Sequence, residues 1–182
     1  MQKPIVAIVG RPNVGKSTLF NRLIRSQVAI VDDIPGVTRD RNYCDAEWEG
    51  KRFIAIDTGG FYPEPPEVIF IHIREQAIFA IEEADIIIHL LDGKAGLIPS
   101  DMELARFLRT SDKKVLWVVN KIDGPTREER VHDFHAIGAD ELLPLSAATG
   151  YGYDDLMDRL TSLFSSYVEE EIEYPKIAVV GR

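Results

Sequence analysis

The chain has 182 residues, of which 45% are hydrophobic and 28% charged, a composition that supports one folded domain with a sizeable core and excludes a disordered chain. Its 21 Lys and Arg stand against 30 Asp and Glu, and the net charge of −9 has the wrong sign for a strong direct grip on nucleic acid. Cys44 is the single cysteine, which excludes a disulfide scaffold, and no apolar run approaches the roughly 18 residues of a membrane span, so a cytoplasmic setting without a membrane partner is expected.

The first apolar run, residues 5–9, reads as a strand and leads into Gly10-Arg11-Pro12-Asn13-Val14-Gly15-Lys16-Ser17. Leu19, Phe20, Leu23 and Ile24 then recur at helical spacing. Strand, glycine loop and amphipathic helix in that order are the context of a G-x-x-x-x-G-K-[ST] phosphate loop. The glycines let backbone N–H groups and a helix N-terminus converge on an anion. Gly10, Asn13, Val14, Gly15, Lys16, Ser17 and Thr18 are therefore candidate nucleotide-binding residues, with Lys16 on the β- and γ-phosphates and the Ser17 hydroxyl on magnesium.

Further along, Cys44, Ala46 and Trp48 alternate with Asp45, Glu47 and Glu49, and Gly50 turns the chain into an apolar run at 53–56. This predicts a hairpin that adds one antiparallel strand, with Cys44 as a small buried hydrophobe. Asp57-Thr58-Gly59-Gly60 closes the second strand; Asp57 is placed to hold magnesium through water and Gly60 to offer its N–H to a γ-phosphate. Residues 61–73 contain Pro63, Pro65 and Pro66 and then Ile69, Ile71 and Ile73, read as a loop running into a helix over 75–84. Apolar residues 68–73 form either the buried face of that helix or a docking surface.

Residues 86–91, 115–119 and 142–145 are nearly continuous apolar runs, the pattern of strands buried on both faces. His89, within the first of them, is expected to be a satisfied core residue, whereas His132 and His135 are expected to be exposed on a helix. Asn120-Lys121-Ile122-Asp123 and Ser146-Ala147 follow strands, at the sheet edge where ligands bind. A desolvated Asp123 carboxylate matches the adjacent N1–H and 2-amino donors of guanine. Adenine lacks both, and an unpaired carboxylate there costs on the order of 1–3 kcal/mol or more. Asn120 would brace the loops, the Lys121 stem would cover a ring face, and the Ala147 N–H would meet O6. Tyr153, Leu156, Leu160, Leu163, Phe164 and Tyr167 mark a last helix. The expected fold is α/β: a three-layer P-loop NTPase with a six-stranded, mostly parallel sheet, one antiparallel edge strand and helices on both faces.

Taken in order, residues 10–17, Thr38, residues 57–60, residues 120–123 and Ser146-Ala147 resemble the five motifs of the translation-factor-like GTPases, over about residues 3–168. The wording of the glycine loop, of residues 33–40 and of residues 82–85 is similar to the EngA (Der) family, whose single-G-domain relatives are Era and MnmE. Residues 175–182 (PKIAVVGR) also repeat residues 4–11 (PIVAIVGR) after the acidic run Glu169-Glu170-Glu171-Ile172-Glu173. The resemblance implies a G domain at 1–168, an acidic linker at 169–175 and, at 176–182, a truncated first strand of a second G domain. It further implies a longer protein with a KH-like domain that acts in large-subunit ribosome assembly.

For the chemistry, the resemblance implies slow GTP hydrolysis to GDP, with Lys16, Thr38, Gly60 and Asn13 as catalytic residues. Magnesium would lie on Ser17, Thr38 and Asp57, and a potassium ion beside Asn13. Phe61 stands where many small GTPases carry a water-orienting glutamine; Arg39 and Arg41 are alternative charge donors. An Era-like or MnmE-like protein, a guanine-nucleotide module with negligible hydrolysis, and an ATP-dependent kinase, which residues 120–123 oppose, are the alternatives.

Overall fold

The computed structural model describes residues 3–25, 42–58 and 80–164. Six strands, β1 (Ile5–Val9), β2 (Asn42–Trp48), β3 (Lys51–Asp57), β4 (Ile86–Asp92), β5 (Lys114–Asn120) and β6 (Leu143–Pro144), form one sheet in the order β2-β3-β1-β4-β5-β6. Among the described residues only β2 and β3 pair antiparallel, so the expected mixed sheet with an antiparallel edge is what forms. Glu49 (φ 47°) and Gly50 (φ 80°) make the two-residue turn between them, both left-handed, which matches the twist of a hairpin. Strands β3, β4 and β5 run past their apolar residues into Asp57, Asp92 and Asn120, because ladder hydrogen bonds do not depend on side-chain polarity.

One strand is a correction. Instead of a buried strand over 142–145, β6 has two half-buried residues, opposite Val118 and Val119 of β5. Pro144 has no N–H for the ladder.

Helix α1 (Lys16–Arg25) and helix α3 (Tyr153–Ser162) cover one face of the sheet. Leu19, Phe20, Leu23, Leu156, Leu160 and Phe164 pack there on Val6, Ile8, Ile88 and Leu90. Each fully buried side chain of this kind contributes about 1.5–3 kcal/mol. Cys44 is half-buried against this cluster rather than fully buried. Trp48 fastens the hairpin to α3, donating to Asp158 Oδ1 at 2.8 Å and meeting the Tyr153 ring edge-on at 5.8 Å.

On the other face lie a helical segment at 80–83, helix α2 (Pro99–Thr110) and a 3-10 helix (Pro125–Ile137). Their Ala80, Ile81, Leu108, Phe134 and Ile137 pack on Ala7, Val9, Ile87, Leu91 and Val119. The expected helix at 75–84 is thus observed at its end. The loop at 61–73, the proposed docking residues 68–73, and Tyr167 lie outside the described residues. Among those described, no helix is long and apolar enough to cross a membrane.

His89 departs from expectation. It is fully buried and edge-on to Trp117 at 5.3 Å, yet neither ring nitrogen has a hydrogen-bond partner among the described residues. Burial lowers its pKa from 6.5 to about 3. The unfolded chain therefore takes up a proton below pH 6.5 that the folded chain refuses, and stability falls as pH drops through that window. His89→Leu is expected to gain about 2 kcal/mol more relative to wild type at pH 5 than at pH 8 in urea denaturation. An equal change at both pH values contradicts this.

Candidate functional site

The C-terminal ends of β1, β3, β4 and β5 bring Gly10, Asp57, Asp92 and Asn120 to one edge of the sheet. Between β1 and α1 the glycine loop folds back on the strands beside it. Gly10 has φ 154°, and a Cβ there would lie 2.4 Å from the Leu90 carbonyl oxygen. Gly15 has φ 105°, and its Cβ would lie 2.3 Å from Asn120 Nδ2. Both positions therefore need glycine.

Buried Val14 anchors the loop, and Asn13, at φ 65°, forms its exposed tip. Lys16 is 8% exposed and donates from Nζ to the Gly10 carbonyl at 2.9 Å and the Arg11 carbonyl at 3.0 Å. Burial pushes its ammonium below the ordinary lysine range, while the Asp57 carboxylate opposes that shift. Ser17 and Thr18 are exposed in the first turn of α1, where the N–H groups of a helix start favour an anion. Asp57 is buried at the end of β3. Next to it, the Thr58 hydroxyl donates to the Ile8 carbonyl at 2.8 Å and ties β3 to β1.

Asn120 is the brace the sequence predicted. Its Nδ2 donates to the Val14 carbonyl at 2.7 Å and its Oδ1 accepts from the Ala147 N–H at 2.9 Å, so one buried side chain joins phosphate loop, β5 and the 146–147 loop. The second of these bonds corrects the role expected for Ala147, whose N–H is turned to Asn120 rather than left open for a base. Lys121 (φ 69°) donates to the Asn13 carbonyl at 2.7 Å and to Asp92 Oδ2 at 2.5 Å, and its stem is thereby drawn towards the loop tip.

Several site residues were not singled out from the sequence. Asp92, at 4% exposure, also accepts from the Lys94 and Ala95 N–H groups. Burial alone raises its pKa, but Lys121 and these two N–H groups outweigh burial and hold the carboxyl below its ordinary range. Arg22 of α1 donates from its guanidinium to the Ala147 and Ala148 carbonyls at 2.7 and 2.8 Å and lies over the Tyr153 ring at 5.6 Å. Arg11 Nε sits 3.2 Å from Asp101 Oδ1, pairing the glycine loop with α2. The available signals were the place of Asp92 at a strand end, like Asp57, and Asp101 three residues after the helix cap.

Asp123 is partly exposed and already has partners within the protein. Its side chain keeps 27% exposure; Oδ1 accepts from the Ser146 hydroxyl at 2.9 Å, and Oδ2 lies 2.5 Å from Arg127 and 3.2 Å from Lys94. The Ser146 hydrogen bond, followed by Lys94 and Arg127, holds its carboxyl below the usual range. Arg127, four residues on, was legible as an i,i+4 pair; Lys94 was not.

Thr38, Arg39, Arg41, Gly59, Gly60 and Phe61 lie outside the described residues, as do residues 169–182. His132 and His135 are exposed on the 3-10 helix with ring centroids 6.1 Å apart, and among the described residues no group of three His, Cys, Asp or Glu side chains could hold a metal.

A glycine cradle and buried lysine at one end, and a carboxylate held by Ser146, Lys94 and Arg127 at the other, make a site shaped for a nucleotide. A family model described as a 50S ribosome-binding GTPase matches residues 5–121. The chain belongs to that GTPase family. Within it, the chain is similar to GTPase Der of Thermodesulfovibrio yellowstonii, with 54% identity over 185 residues covering 97% of this chain and 41% of the relative. It therefore spans about two fifths of the length of that curated relative. Among solved structures, a variant of Aquifex aeolicus Era bound to GDP and aluminium fluoride is 33% identical with TM-score 0.69, covering 96% of this chain and 60% of that one. An Era complex with MgGDPNP and a segment of 16S ribosomal RNA is 34% identical with TM-score 0.68, with the same coverages of 96% and 60%.

Proposed function

We propose that this chain is a GTP-binding switch that hydrolyses GTP slowly, with ribosome assembly as the task of the longer protein it belongs to. The observation that carries the proposal is Asn120, which ties the Val14 carbonyl of the phosphate loop to Ala147 of the base-side loop. Gly10, Gly15, Lys16, Ser17 and Thr18 would take the phosphates, and Lys121 and Asp123 the guanine, with Asn120, Ser146 and Ala147 bracing the base-side loops.

The oxygen donors of exposed Ser17, in the first turn of α1, and of buried Asp57, at the end of β3, are of the hard type that suits magnesium. Thr38 would complete that set. Bound there, the ion would neutralise phosphate charge. Lys16, already buried between the Gly10 and Arg11 carbonyls, would place its ammonium against charge developing on the phosphates. Gly60 would offer its N–H to the γ-phosphate. With Phe61 at the usual glutamine position, the water is left to backbone groups and Thr38, and potassium beside the exposed tip Asn13 would supply further positive charge.

Residues 1–168 are proposed as the G domain, 169–175 as a linker and 176–182 as the opening strand of a second G domain. Five of eight residues agree between 4–11 and 175–182, and the chain spans 41% of its Der relative. That second G domain, a KH-like domain and the large ribosomal subunit are the proposed partners, and the charge of −9 argues that RNA contacts lie mainly elsewhere.

Phosphate release from GTP with magnesium, in potassium and in sodium buffer, tests the proposal. Slow multiple turnover, faster in potassium, is expected. Equal rates in both buffers remove the potassium role, and no release in either removes hydrolysis.

A further inference from the structure

Two cations reach the same oxygen of Asp123 from different elements. Lys94 comes from the loop after β4 and Arg127 from the start of the 3-10 helix, at 3.2 and 2.5 Å. Their backbones are fixed: the Lys94 N–H donates to Asp92 Oδ1 at 2.9 Å and the Arg127 N–H to the Gly124 carbonyl at 3.0 Å. Their side chains are 53% and 43% exposed, so the charged ends can move while the stems stay put. The acidic neighbours Asp92 and Glu128 are engaged by Lys121 and Tyr151, which leaves Asp123 as the acceptor for both cations.

A carboxylate that reads guanine gives one oxygen to N1–H and the other to the 2-amino group. Hypoxanthine keeps the N1–H and lacks the 2-amino group. Where the carboxylate has no other donor, rejection of hypoxanthine comes from the oxygen left without a partner. Here that oxygen has two substitutes within reach.

Resting on the proposed guanine site, we infer that this chain also accepts inosine nucleotides, because Lys94 and Arg127 replace the missing 2-amino group on Asp123. Guanine displaces the cations from Oδ2; hypoxanthine leaves them in place. Adenine is not rescued in this way, because its N1 lone pair faces the carboxylate whatever the cations do.

The test is competition of GDP and IDP against a fluorescent GDP analogue on the 182-residue chain, wild type and the K94Q/R127Q double variant. In wild type the IDP-to-GDP ratio of Kd is expected to be below about 10, and in the double variant at least about fivefold higher, since only IDP loses a substitute donor. The charge-preserving K94R/R127K variant should keep the wild-type ratio, which a merely structural role would not require. A wild-type ratio above that limit, or a ratio that stays put in K94Q/R127Q while GDP still binds, overturns the inference. Failure of wild type to bind GDP at all overturns the guanine reading instead.

Discussion

Asn120→Ala is expected to destabilise the chain by about 2–5 kcal/mol and to weaken GDP binding about 100-fold. Asn120 is 3% exposed, and both ends of its amide are used within the protein. Alanine leaves the Val14 carbonyl and the Ala147 N–H without their partner, each at about 1–3 kcal/mol, and opens space against Gly15. The affinity loss follows because the two loops it joins are the phosphate end and the base end of the site. Asn120→Asp should be at least as damaging, since it sets a carboxylate against the Val14 carbonyl. Urea denaturation with and without GDP measures both effects; a loss below about 1 kcal/mol with unchanged affinity contradicts the brace.

The second large effect is selection of guanine over adenine, expected at about 100-fold or more in Kd. Asp123 is an ionised acceptor, held so by the Ser146 hydroxyl and by Lys94 and Arg127. Against guanine it meets two N–H donors. Against adenine it meets the N1 lone pair, so attraction is replaced by repulsion and the loss exceeds that of a single missing bond. Because Asp123 is 27% exposed, solvent softens the penalty below that of a buried site, and the expected ratio is hundreds rather than many thousands.

Much of this was legible locally. The strand at 5–9, the glycine loop and α1 lie next to one another in the chain, and the hairpin announces itself through alternation and Gly50. Helix α2 is absent from the sequence reading although Pro99 and Asp101 are start signals and Met102, Leu104, Ala105 and Leu108 recur at helical spacing. The length of β6 was misread because 142–145 is apolar yet carries Pro144, whose missing N–H the hydrophobic pattern does not register.

At the site, the sequence identified residue types and left their partners open. Arg22 meets Ala147 across 125 positions, Asn120 meets Val14 across 106 and Lys121 meets Asp92 across 29, and such pairings depend on how β4 and β5 lie beside β1. The partners of Asp123 stay hidden for the same reason: Lys94 reaches it from a different loop. His89 shows the opposite limit, since burial was correctly read from its strand but satisfaction of its nitrogens was assumed.

Calorimetric titration of the wild-type chain with GDP and, separately, with ADP, in magnesium at neutral pH, tests the central claim that this edge of the sheet is a guanine-nucleotide site read by Asp123. One GDP per chain is expected, with ADP at least about 100-fold weaker. Equal affinities for the two nucleotides, or tighter binding of ADP, would contradict it.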